Sequence, residues 1–250
     1  MPASPVSAWP GSLAVSLGRD ARRLVPPSLA RLLAEREDEI LEQSRRLPAP
    51  LVASLATDLP GGRLRPETLA LLETQPALVV DLFAQRRVTE GLVQLGALLR
   101  VPADLADPVL SVGPQPCPPG VAREYYAFVE RNLGKIPVVL EEREVLSMPR
   151  AALSGYWQRL LDRSRSQSPV ILRELYRGGR VIDQRGLDYR NPVFGVASLA
   201  YSRAVTGIAA TWLAVWRELG GDLSRMPSPR EIRPRPAPKP QPIPSEGARP

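Results

Sequence analysis

The chain contains no histidine in 250 residues. That absence excludes a His-ligated zinc site, a Ser-His-Asp or Cys-His triad and an imidazole general base. Cys117 is the only cysteine, so intramolecular disulfides, thiolate zinc sites and iron–sulfur clusters are excluded too. Any metal would need oxygen ligands; neither a metal nor a cofactor is expected. Lysine is almost missing, with Lys135 and Lys239 the only two, so the net charge of +7 is carried by arginine. These arginines are spread among acidic residues, as over 33–46, and mark no nucleic-acid patch in the sequence. Aromatic residues make up 5%, and Tyr125, Tyr126, Phe128 and Trp157 stand at helical spacing, which assigns them to a core.

What is present is helical periodicity. Leu13, Leu17, Ala21 and Leu24 recur every three to four residues, Pro26 and Pro27 stop the run, and Ser28 opens a helix read as far as Arg46. Pro66 opens another; residues 76–86, 89–100 and 104–110 continue the pattern. Four prolines within 113–120 forbid helix there. Further helices are predicted over 121–133, 149–165, 169–178 and 191–219, the last with Ala197, Tyr201, Ala204, Ile208, Trp212 and Val215 on one stripe. Only 136–140 looks strand-like. The fold class is all-α: an N-terminal extension over 1–12, one multi-helix domain over 13–222 and a disordered tail over 223–250.

The apolar stretch 193–216 carries Arg203 at its middle, which a bilayer centre penalises by at least ~2.5 kcal/mol, so it is assigned to a buried core helix. Residues 1–8 lack the basic and apolar regions of a secretory signal, and a cytoplasmic location is expected. From residue 227 on, nine of 24 residues are Pro and five are Arg or Lys. Such a segment buries too little to offset its ordering entropy. Its stretch Arg233, Pro234, Arg235, Pro236, Pro238, Lys239 and Pro240 is a candidate polyproline ligand for aromatic grooves.

One segment has a recognisable outline. Leu95-Gly96 is followed by Arg100, Asp104, Pro108 and Leu110. This resembles the central motif of the zinc-dependent phospholipase C and single-strand-specific nuclease superfamily, which runs Leu-Gly, His-x-x-x-Asp, then Gln-Pro-Leu-His. Arg100 stands at the first His, Asp104 at the Asp and Leu110 at the last His. Trp9 is similar to the family's N-terminal Trp, whose amine and carbonyl bind zinc, but eight residues precede it here and its nitrogen is an amide. Ala14 or Arg22 then falls where another His would stand. Gly120 to Tyr126 resembles a Gly-x-His-x-x-x-Glu element with Ala122 for the His and Tyr126 for the acid, and 200–216 looks like the closing helix of bacterial members.

The resemblance implies that family's all-α fold over residues 8 to about 220, with the metal-site positions Trp9, Arg100, Asp104, Leu110, Ala122 and Tyr126 degenerate. A guanidinium cannot ligate zinc. Arg100 beside Asp104 at i, i+4 is instead expected to form a partly buried ion pair, with Leu110 and Ala122 closing the vacated space. The expected function is therefore a non-catalytic interaction or scaffold protein with a protein partner. The alternative is a metal-independent binder of phospholipid headgroups or nucleic-acid phosphates at Arg100; an unrelated enzyme using paired carboxylates is a third reading. Carboxylate runs such as Glu35 to Glu39 are read as solvated helix faces, and Cys117, with no base near it in sequence, as incidental.

Overall fold

A computed structural model describes residues 9–47, 64–111, 117–118 and 120–227. The N-terminal residues 1–8, most of the loop 113–120 and the 233–240 motif lie outside them. The described residues are mostly helical: α1 Gly11–Ala21, α2 Pro27–Ala34, α3 Glu37–Arg46, α4 Pro66–Ala84, α5 Val88–Ala97, α6 Arg100–Leu105, α7 Val121–Asn132, α8 Leu153–Leu175 and α9 Pro192–Glu218. Short 3₁₀ turns join several of them. The one sheet among these residues is a hairpin, β1 Tyr176–Arg177 against β2 Arg180–Val181, antiparallel with Arg177 opposite Arg180.

α9 is the axis of the fold. Pro192 occupies its first turn, where no amide partner is needed, and the Asn191 side chain accepts from the Val193 amide at 2.9 Å. Gly220, at φ +70°, closes the other end, and the Gly221 amide donates to the Trp216 carbonyl at 2.9 Å. Between these caps 18 of its 27 residues are buried, against α1, α6, α8 and the 3₁₀ turn Arg143–Ser147. By length and composition α9 could cross a membrane, but 72% of its most apolar window is inside the molecule. It is a core helix.

Four expectations need correction. The body starts earlier than residue 13: α1 opens at Gly11, and Trp9 ahead of it is 4% exposed. The helix read over 28–46 is two helices, because Glu37, Asp38 and Glu39 complement a new helix N-terminus and Arg19 and Arg22 clamp Glu37 there. The two helices read over 149–165 and 169–178 are the single α8, Leu153–Leu175, which runs through Pro169, and 176–178 leave it for the hairpin. A mid-helix proline costs ~3 kcal/mol; burial of Leu161 and Ser164 before it and Ile171 and Leu175 after it holds the turns together. Finally, 136–140 is extended but unpaired, and the hairpin forms at 176–181. Gly178 and Gly179, at φ +56° and +77°, supply the two positive dihedrals of a type I′ turn.

Candidate functional site

α6 is a short helix after a tight bend from α5, and Pro102 is its third residue, where the amide has no intrahelical partner. The helix stays regular, so Arg100 and Asp104 lie one turn apart on the same side. Arg100 Nε donates to both Asp104 oxygens, at 2.9 and 2.7 Å. The Asp104 side chain is 2% exposed and that of Arg100 22%. This is the partly buried ion pair that the spacing predicted.

A second carboxylate stands beside it. Asp107 is fully buried and accepts from the Tyr126 hydroxyl at 2.7 Å and from the Val109 amide at 2.8 Å. The Leu110 and Trp9 amides donate to it as well. The sequence reading did not single out Asp107. The available signal was Asp107-Pro108, since an Asp before a turn accepts the amide two residues on.

Of the residues named from the motif resemblance, Trp9, Leu110 and Tyr126 bond Asp107 and Arg100 bonds Asp104. Trp9 packs its ring 6.0 Å from Tyr126, 6.3 Å from Tyr125 and 6.4 Å from Tyr201, centroid to centroid, and its Nε1 donates to the Ala103 carbonyl at 2.8 Å. Ala122 lies one turn before Tyr126 on α7, and Leu110 and Ala122 are both buried. Of the two alternatives for the remaining His, Ala14 lines a cavity with Arg100 and Asp104, whereas Arg22 lies apart and binds Glu37. That cavity measures about 120 Å³, with Trp9, Ser44, Arg45, Leu99, Ala103 and Asp104 also in its wall.

Burial governs the electrostatics. Loss of hydration pushes the Asp104 carboxyl up to about 7 against the opposing pull of Arg100, with nearby Asp107 adding to the rise. Asp107 is pushed up to about 6 by burial, opposed by its Tyr126 and backbone donors. Burial and Asp107 together push the Cys117 thiol up to about 12 and hold Tyr126 well above its ordinary value. Neither a thiolate nor a phenolate nucleophile exists here near neutrality. A carboxyl titrating near 7 suits proton transfer, but both Asp104 oxygens already accept from Arg100.

The residues do not fit zinc. A guanidinium occupies the acceptor side of Asp104, Asp107 is saturated by four protein donors, and among the described residues no three His, Cys, Asp or Glu side chains converge. A larger cleft of about 600 Å³ lies between α4, the start of α8 and the end of α9. Its polar groups pair with one another: Arg150 with Glu218, Ser154 with Glu73, and Arg217 with the Met148 carbonyl. Comparison with family models, curated proteins and solved structures returned no match to this chain.

Proposed function

We propose that this protein is non-catalytic, a helical domain of phospholipase C and nuclease outline that acts by binding a protein partner. One observation carries the reading: the motif positions come together, and where a metal would need free ligands the two carboxylates are capped by Arg100, Tyr126 and backbone amides. On this reading the partly buried Arg100 guanidinium supplies positive charge in place of a cation, without Lewis acidity. The test is elemental analysis of protein purified with zinc present, together with a phosphodiesterase assay. The expected result is substoichiometric zinc and no turnover; tightly bound zinc near one equivalent, or turnover, would overturn the proposal.

A second reading has its own support. The cavity beside Arg100 is also lined by Arg45, which pairs with the exposed Glu42 at 3.1 Å, and an oxyanion of a phospholipid headgroup or a nucleic acid would compete with Glu42 for it. It predicts binding to anionic vesicles or oligonucleotides that weakens steeply with salt and is lost in Arg45→Ala. Unchanged binding in that variant excludes the cavity as its seat.

A further inference from the structure

Lys135 and Arg190, far apart in the sequence, meet over one exposed ring. The outer edge of α7 is tied to the segment that follows the hairpin: Arg131 donates to the Gln184 and Leu187 carbonyls at 2.7 and 2.6 Å, and the Gln184 amide donates to Glu124 at 3.2 Å. Tyr189 lies on this face, 52% exposed, with Lys135 Nζ 5.4 Å and the Arg190 guanidinium 5.7 Å from its ring centre. Arg180 is exposed on the neighbouring hairpin. Most other charges here are engaged, Arg173 and Arg177 with Glu174 and Arg185 with Asp183. Among the described residues the side chains of Lys135, Arg180 and Arg190 have no carboxylate partner, while the Arg190 amide donates to Asp188 at 2.8 Å.

We propose that this face, with Lys135, Tyr189 and Arg190 at its centre and Arg180 on the adjoining hairpin, is the docking surface for an acidic protein segment. The inference rests on the interaction-protein reading and names the chemistry of its partner. Two observations favour carboxylates over other anions. The Tyr189 ring is already engaged by its own two cations, so it offers no clear platform for a stacked base, the usual anchor for a single strand. The exposed large apolar side chains within 173–190 are Tyr176 and Tyr189 alone, with no Leu, Ile, Phe or Trp to enter a bilayer. Cations held over a ring, beside a hairpin closed by two glycines, are also ordered before binding, which lowers the cost of association.

The test uses the full chain and a Lys135→Glu/Arg180→Glu/Arg190→Glu variant, with retained helicity checked by circular dichroism. Labelled oligo-glutamate is the probe, and oligo-dT and phosphatidylserine vesicles are the competitors. Arg31→Glu/Arg46→Glu, on exposed positions of α2 and α3, is the control for general charge. The parent and control should bind oligo-glutamate alike, and the triple variant at least about tenfold more weakly. Equal binding by the triple variant, or preference for oligo-dT or vesicles, overturns the proposal. A host pull-down with partners identified by mass spectrometry separates the two levels of the argument. A partner retained by the triple variant sinks this face alone, and no specific partner for any variant sinks the interaction reading.

Discussion

At the residue scale, the Arg100–Asp104 pair was legible because an i, i+4 spacing and apolar neighbours are sequence properties. What the spacing did not convey is how far Asp104 is withdrawn from water, or that Asp107 crowds it, because both depend on where α7 and Trp9 come to rest. The asymmetry of exposure sharpens a prediction. Arg100→Ala leaves a buried carboxyl without its partner, at a cost of ~3–5 kcal/mol for a buried pair. That cost should be largest near about pH 8 and shrink near about pH 5, where Asp104 is protonated in parent and variant alike. Replacing both residues with apolar ones should cost less than Arg100→Ala alone. Urea unfolding at the two pH values measures this, and a cost within error of zero at both would show the pair to be solvated.

A second residue runs the other way. All three guanidinium nitrogens of Arg165 are closed off from solvent without a hydrogen-bond partner, and burial pulls the group's pKa below its ordinary value. A buried unsatisfied donor costs ~1–3 kcal/mol and more when charged. Arg165→Met keeps the stem and removes the charge, so the urea midpoint should rise; a fall would mean that Arg165 has an acceptor in solution.

At the element scale, helix existence was readable from periodicity and helix continuity was not. Proline is a strong local signal, yet Pro76 and Pro169 both lie inside α-helices, because flanking core contacts outweigh one lost hydrogen bond and one ring clash. The Gly178-Gly179 pair was a hairpin signal of the right kind, but two-residue strands carry too little alternation to flag themselves. Packing also divides the glycines of α9. A Cβ on Gly195 would meet nothing within 4 Å, whereas one on Gly207 would lie 2.8 Å from Pro102 Cβ and 3.3 Å from the Tyr156 hydroxyl. Gly195→Ala should therefore gain ~0.5–1 kcal/mol from helix propensity. Gly207→Ala should lose ~1–3 kcal/mol, since the ring of Pro102 cannot give way. Thermal unfolding of the pair tests whether α6 and α9 approach this closely; equal shifts would refute it.

At the scale of the whole molecule, the buried carboxyls and the surface ones pull stability in opposite directions with pH. Carboxyls paired with surface arginines, such as Glu37 and Glu174, are held below their ordinary values by hydrogen bonds from Arg19 and Arg173, so their contribution is present near neutrality and lost as pH falls through the acid range. Asp104 and Asp107 are raised to about 7 and about 6. Between about pH 4, where an unfolded Asp releases its proton, and about pH 7, the folded state binds more protons than the unfolded one. Stability must then fall as pH rises through that interval. The groups facing these two carboxyls are Arg100, Tyr126 and Cys117, and neither Tyr126 nor Cys117 ionises there, so nothing else in the site offsets the trend. Maximal stability should lie on the acid side, near about pH 5, above the range where the surface pairs fail. Asp104→Asn should flatten the decline between about pH 5 and pH 8 without moving the acid limb. Unfolding free energies across that range decide it: a parent profile that is flat or rises toward pH 8 would mean that Asp104 and Asp107 are ionised and hydrated in the folded protein.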